Sequence, residues 1–325
     1  MVIEMVRSNL VSISVGYPNL FSVKLTNTQN VDTPSPFQQM LQLPVSQLQS
    51  YTPILASDFH NVRFVYNGTG IPAWLESISN GIATIWVKLP VSIPANSSIT
   101  IDMEVDPLLN FDGNYWGEAP QLNYPFINIM YGQYDNGINV FNFYDNFAGT
   151  SLRPGWKPMP NAMSLTVNNG VTLSGYNNDD GYYYENYTVP LYSIIEAYMK
   201  DTGSSSIRGS EIGIGTSIFG GSGTRVQDYE ITPAGTTWVM EGYVNVNTST
   251  PSYTSGTMIM LSGAYYPTGA TLYENYNEVL SAAGTATTID AYPNFGIFGD
   301  IIFIQYMRVR AYPPNGVMPT VEVIA

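Results

Sequence analysis

The chain has no cysteine and a single histidine, His60. The first absence excludes disulfides, thiolate nucleophiles and cysteine-ligated metals, and the second excludes any site built from several imidazoles. Charge is scarce too. Asp, Glu, Lys and Arg make up 11% of the 325 residues, against roughly 25% in an ordinary soluble domain. The polar surface must therefore be Asn, Ser, Thr, Gln and Tyr, which hydrate by hydrogen bonding and depend little on ion pairs. Such a surface suits high salt or strong acid. Below about pH 3 the carboxylates are mostly neutral, and the 11 Lys and Arg with the one His then make the net sign weakly positive.

At neutral pH the formal charge is −14, which argues against nucleic acid as a partner, because phosphates need clustered Lys and Arg. The basic residues are scattered, with Arg308 and Arg310, Arg153 and Lys157 the nearest approach to a cluster. No run reaches the ~18 apolar residues of a membrane helix. The longest, FGIFGDIIFI, is cut by Asp300, so no membrane insertion is expected. The opening MVIEMVRSNLVSISVG is not a secretory signal, since Glu4 and Arg7 break its apolar run.

What is present points to strands. Apolar residues make up 44% and aromatics 13%, enough to fold, and the length suits two domains. From residue 10 to 106 the apolar pattern has a period of two: SISVG, FSVKLTN, QQMLQLPV, VRFVYNG, IATIWVKLP and SSITIDMEV, split by turn clusters such as NGTG and IPANS. One short helix fits between Val45 and Leu55, opened by Ser46 and ended by Pro53. A sandwich of six to eight short antiparallel strands is expected. The stretch from Phe111 to Trp156, crowded with Gly, Asn, Pro and Tyr, reads as a joint plus the opening strand of a second β unit. From 141 the strand grammar resumes, with turn signals at Asn168–Gly170 and Asp179–Gly181. The expected organisation is a sandwich over 1–106, a connector over 107–140, a jelly-roll-like sandwich over 141–312 and a tail over 313–325. After its diproline the tail carries strand-forming residues with no partner left in sequence order, so contacts outside its own domain are expected.

The segments PFQQMLQLPVSQLQSYTP and NVRFVYNGTGIPAWLESISNGIATIWVKLPVSIPANSSITIDMEV resemble the domain of unknown function DUF2341. FYDNFAGTSLRPGW followed by SLTVNNGVTLSG resembles the first strands of concanavalin-like (laminin G-like) jelly rolls, and GEAPQL with YGQYDNG resembles the connector of archaeal proteins that join the two. The resemblance implies an all-β, two-domain, surface-located archaeal protein, with no known chemistry for its first domain.

Some concanavalin-like folds are glycoside hydrolases, which need two carboxyls about 5 Å or about 6.5–9.5 Å apart. The E-x-D-x-E string that the resemblance leads one to seek is missing; Asp228 and Glu230 in QDYEI come nearest and read as solvated strand residues. Asn178, Asp179 and Asp180 offer oxygens for calcium, though turns use the same residues, and no cofactor is otherwise expected. GIGTSIFGGSGTR lacks the lysine of a phosphate loop. His60 reads as an ordinary partly buried imidazole. Trp116, Tyr182, Tyr184 and Trp238 are candidates for stacking on sugars, although most Trp in a sandwich are core. Tyr183 should face opposite to Tyr182 and Tyr184. Asn67, Asn96, Asn186 and Asn247 head N-x-S/T sequons, compatible with glycosylation.

The expected function is non-catalytic: structure or adhesion on the exterior of an archaeal virion or cell envelope. Partners would be other envelope or virion proteins, copies of the chain meeting through edge strands or the tail, and host glycans. Three explanations reconcile an outside-type surface with the missing export signal: a mature or excised fragment, export by another path, or a virion protein that folds and assembles in the cytoplasm, which accounts for the N-terminal Met and the surface together. The alternatives are a secreted lectin module and a concanavalin-fold glycoside hydrolase.

Overall fold

In a computed structural model the chain is described over residues 19–122, 131–159, 164–175, 179–202, 209–217, 224–231, 238–248 and 253–324. The first part contributes β1 (Asn19–Asn27), β2 (Phe37–Pro44), α1 (Val45–Tyr51), β3 (Val62–Tyr66), β4 (Thr69–Ile71), β5 (Ala73–Ser79), β6 (Ile82–Leu89), β7 (Ser97–Val105) and β8 (Trp116–Glu118). After α2 (Gly137–Val140) come β9 (Phe143–Asp145), β10 (Trp156–Pro158), β11 (Ser164–Val167), β12 (Val171–Ser174), β13 (Asp179–Tyr184), β14 (Ser193–Asp201), β15 (Ser210–Gly215) and β16 (Arg225–Ile231). The remainder is β17 (Trp238–Gly242), β18 (Val246–Thr248), β19 (Ile259–Tyr266), β20 (Gly269–Glu274), β21 (Asn277–Ala283), β22 (Pro293–Phe298), β23 (Ile301–Ala311) and β24 (Thr320–Ile324).

These strands form four sheets. Sheet I has the order β24-β1-β7-β3-β4 and sheet II the order β2-β6-β5-β8. Sheet III runs β11-β12-β23-β14-β19-β20-β21, with β9 also on β23, and sheet IV runs β10-β13-β22-β15-β16-β17-β18. Sheets I and II enclose one core, which includes Val23, Leu25, Ile85 and Val87. Sheets III and IV enclose a second, larger core as a jelly-roll sandwich, which includes Ile195, Ala197, Ile212 and Phe295. A third cluster, with Trp74, Trp86, Phe141, Tyr144 and Tyr306, lies between sheets II and III. The molecule is thus a four-layer stack.

Strand sequences follow from layer position. In β1, Phe21, Val23 and Leu25 are buried while Ser22, Lys24 and Thr26 are not, the alternation of a sheet with one wet face. The inner strand β6 is buried on both faces, with Ile85 and Val87 toward sheet I and Trp86 toward sheet III. Helix α1 begins one residue before the expected Ser46, directly after Pro44, and its cap is Thr52. Thr52 is extended (φ −142, ψ 100), as a residue ahead of proline must be.

The layer between the sandwiches is held by charge as well as aromatics. Arg308 on β23 is fully buried; its Nε lies 2.6 Å from Glu196 Oε2 and its Nη1 3.2 Å from Glu76 Oε2. Arg310 Nη2 lies 3.0 Å from Glu196 Oε1. Trp86 Nε1 and Tyr276 Oη also donate to Glu76, and the Arg308 guanidinium sits 4.5 Å from the Phe141 ring centre. Burial alone would raise the Glu196 pKa, but the Arg308 and Arg310 guanidiniums outweigh it and hold the carboxyl below its ordinary value. Glu76 belongs to sheet II and Arg308 to sheet III, so this network joins the sandwiches.

Two expectations gain detail from the structure. Where it is described, the connector is built into the sheets on either side. β8 extends sheet II by parallel pairing with β5, and a Cβ on Gly117 would lie 1.9 Å from Tyr134 O, so glycine permits the chain to close over itself there. Asp135 accepts hydrogen bonds from Trp74 Nε1 (2.7 Å), Tyr144 Oη (2.6 Å) and Asn146 Nδ2 (2.7 Å), tying the connector to both sides. The tail does leave its own sandwich, as expected, yet its partner is in the same chain. β24 runs antiparallel to β1, from Ser22 opposite Ile324 to Thr26 opposite Thr320. Sequence order hid this pairing because the partner is the first strand among the described residues.

Candidate functional site

The outer face of sheet IV gathers the chain's most unusual chemistry. In β15, β16 and β22 the core takes Ile212, Ile214, Tyr229, Ile231, Phe295 and Ile297. The alternate positions turn outward, presenting Glu211 and Gly213 on β15, Asp228 and Glu230 on β16, and Asn294 on β22. Register brings them together. Glu211 is opposite Glu230, and Gly213 has Asp228 on one side and Asn294 on the other. Asp228 also faces Glu241 of β17. A Cβ on Gly213 would stand 2.3 Å from Asp228 Oδ1 and 2.7 Å from Asn294 Oδ1, so the missing side chain is what lets the two oxygens converge.

These groups are not solvated. Glu211 and Asn294 are 0% exposed, Asp228 2% and Glu230 7%. Among the described residues, both carboxyl oxygens of Glu211 and of Asp228, and Asn294 Oδ1, have no hydrogen-bond partner. Arg225 Nε lies 3.0 Å from Asp228 Oδ2, close enough to pair in charge but not aligned as a hydrogen bond. Its Nη1 meets Glu241 Oε2 at 2.5 Å. Burial, followed by the fields of Asp228 and Glu230, pushes the Glu211 carboxyl well above its ordinary range. Burial raises Asp228 likewise against the pull of Arg225, and burial followed by Glu241 lifts Glu230 to about 8. At neutral pH the cluster therefore keeps protons. Neutral carboxyls beside one another can donate hydrogen bonds to hydroxyls or act as general acids. Among the described residues no group of three or more His, Cys, Asp or Glu side chains is placed to hold a metal ion.

The sequence pointed to Asp228 and Glu230 but read them as solvated. The structure buries them and adds Glu211, whose signal was the alternation Glu-x-Gly in SEIGIG paired with QDYEI as neighbouring strands. The stacking candidates fare differently. Trp116 is 1% exposed, edge-on to Phe64 at 5.7 Å, with Nε1 donating to Phe59 O at 2.8 Å; it is core of the first sandwich, not a platform. Tyr182 stacks on Phe295 at 5.9 Å, and Tyr184 lies between Trp156 at 5.4 Å and the Arg153 guanidinium at 4.5 Å. Both rings therefore serve internal packing. Tyr183 sits in register with Asn294 and contacts Tyr292 at 5.9 Å, so alternation puts this ring, and not its neighbours, on the carboxyl face. Trp238 pairs in β17, and its side chain lies outside the described residues. Asn178 lies outside them altogether; Asp179 and Asp180 open β13 with side chains outside them. Asn67, Asn96 and Asn186 are exposed, and Asn247 is in β18. His60 is half-buried, its Nδ1 2.6 Å from Asp58 Oδ1.

The fold and the face together define an all-β protein of two stacked sandwiches, the second a jelly roll with buried acids on its outer sheet. Residues 58–106 match the family described as "Domain of unknown function (DUF2341)". Over 98% of its length the chain is similar, at 30% identity, to "Uncharacterized protein 562" of Sulfolobus islandicus rod-shaped virus 1, and it spans 60% of that viral protein's length. Among solved structures, an endo-β-1,3-glucanase from Pyrococcus furiosus aligns at 11% identity, covering 53% of this chain and 94% of that one, with a TM-score of 0.40. A pseudo β-1,3-glucanase of Mycobacterium tuberculosis aligns at 12% identity over 53% and 98%, with a TM-score of 0.38. Likeness at that level is silent about chemistry.

Proposed function

We propose that this protein is a structural component of an archaeal virus particle, displayed on its exterior, where the second sandwich meets glycans. The observation that carries the reading is similarity along nearly the whole chain to a protein of a rod-shaped Sulfolobus virus. Two further features support it. The charge-poor, hydroxyl- and amide-rich composition hydrates without ion pairs, and the strands at the sheet edges, such as β4 and β21, offer main-chain bonding to neighbours in a particle. The reading includes no nucleic-acid partner, in keeping with the net charge of −14. No helix among the described residues is long and apolar enough to cross a membrane. The test is immunogold labelling of intact purified particles with antibody against the second sandwich. Label on unbroken particles is expected; absence from the particles, or label only after disruption, would refute the placement.

A second reading, of another class, is favoured by Glu211, Asp228 and Glu230. Buried acids with raised pKa values in adjacent positions are the groups that protonate a glycosidic oxygen while a neighbour serves as base or nucleophile. Assaying release of reducing ends from β-glucans and host-envelope polysaccharide decides it. Turnover abolished in both Glu211→Gln and Glu230→Gln establishes a hydrolase, and turnover absent from the wild type removes one.

A further inference from the structure

We propose a binding groove for a neutral oligosaccharide at the seam between the two sandwiches, on the opposite side of the jelly roll from the acidic face. This deepens the glycan-contact reading above and rests on it. The groove has a volume of about 860 Å³ and runs between the 31–36 loop of the first sandwich and the strand ends of sheet III at 190–193, 266–268 and 311–315. That size lies within the range of roughly 300–1,000 Å³ that ligand pockets occupy.

Three tyrosines give the groove its character. Tyr266 and Tyr312 stack at 5.1 Å with an interplanar angle of 25°, forming a paired aromatic wall. Tyr192 is 57% exposed although its backbone is held at φ +62. A bulky residue in the left-handed region is an outlier, and such outliers collect at functional sites. The conformation is held from the adjacent strand end of the same wall, because Tyr312 N donates to Tyr192 O at 2.7 Å. The fold therefore holds an exposed ring beside a stacked pair at a cost in backbone strain that packing does not explain.

The polar lining identifies the occupant. Among the described lining residues Asp32 is the one charged side chain, and its Oδ1 already accepts from Ala95 N at 2.8 Å. The other polar groups are neutral hydroxyls and amides, among them Thr268 and Asn315. Ser193 also lines the groove, and its buried hydroxyl has no partner among the described residues. In a chain with 25 acidic residues, a large groove almost free of charge selects against cations and anions alike. Aromatic faces beside neutral donors and acceptors suit a pyranose, which offers a C–H face to a ring and hydroxyls around its rim.

The experiment is isothermal titration of the full chain with maltohexaose, cellohexaose and laminarihexaose, with hexagalacturonate and decaproline as contrasting probes. At least one neutral hexasaccharide should bind, and Tyr192→Gly should weaken it about tenfold by removing one ring face. Glycine accepts φ +62 without strain, so an unchanged or raised unfolding midpoint checks that this variant still folds. The proposal is overturned if no neutral hexasaccharide binds, if hexagalacturonate or decaproline binds in preference, or if Tyr192→Gly leaves the affinity unchanged. Binding that instead falls in Glu230→Gln would place glycan contact on sheet IV. That result would refute the groove while leaving the glycan-contact reading intact; particle labelling remains the separate test of location.

Discussion

Raising the pH from 4.5 to 8 should strip this protein of stability, and Glu230 sets the scale. Its carboxyl titrates near 4.5 in the open chain and at about 8 in the fold. The sign follows from linkage: a carboxyl whose folded pKa is raised contributes fully below its unfolded value and loses that contribution as pH climbs to the folded one. At ~1.4 kcal/mol per pH unit, the loss between the two values is about 5 kcal/mol. Glu211 and Asp228 are raised by the same burial and act in the same direction, though the three share one electrostatic neighbourhood and their losses do not simply add. Glu118, raised to about 7, and Asp300, raised to about 6, reinforce the trend. Glu196 stands outside this window, because its lowered pKa withdraws stability only in stronger acid. Urea unfolding at constant ionic strength, at pH 4.5, 6, 8 and 9, measures the effect. Wild type should lose roughly 5 kcal/mol or more across the window, and Glu230→Gln, which keeps the shape and stays neutral, should lose less by about that amount. Equal slopes for the two proteins, or a wild type that gains stability toward pH 8, would show that the cluster is not buried as described.

Breaking the charge network between the sandwiches by Glu76→Ala should cost about 3–5 kcal/mol in urea unfolding, because Arg308 is left buried with one carboxylate fewer. Arg308→Met with Glu76→Gln, which leaves Glu196 paired with Arg310, should recover much of that loss, since neutral groups of similar size need no counter-charge. A proteolytic nick in the 107–140 stretch should yield two fragments on a denaturing gel that still co-elute in gel filtration, held by the layer between sheets II and III and by β24; separate elution would contradict the four-layer stack. Deleting 318–324 should lower stability by about 2–3 kcal/mol through loss of the half-buried Val321 and Val323, and should produce dimers by light scattering as the freed edge of β1 finds a partner.

Strand content was legible because a period of two is written into almost every segment; β1, β6 and β7 can be read directly from FSVKLTN, IATIWVKLP and SSITIDMEV. What periodicity cannot give is which strands meet. The acidic face was half visible, since Asp228 and Glu230 share a face within one strand. Their burial and the third acid depend on a hairpin that sets Glu211 opposite Glu230. Trp116 was open to either a stacking or a core role, because local composition says nothing of β8 adding to sheet II. Arg308 and Arg310 looked like a sparse basic pair, and only the approach of Glu76 and Glu196 makes them part of the seam.

The pairing of β24 with β1 also dictates an order of events during synthesis. Ser22 meets Ile324, so sheet I cannot be completed until about 300 further residues have emerged and the jelly roll has formed in between. At a bacterial-type rate of ~5–20 residues per second, β1 waits some tens of seconds with one side unpaired. Throughout that interval the nascent first sandwich carries an open strand edge, the feature most prone to pair with a neighbouring chain. Closure of sheet I waits on contacts of large sequence separation, which are slow to find. β24 thus closes this edge of sheet I, and a ribosome that stalls before Thr320 leaves β1 open along that side.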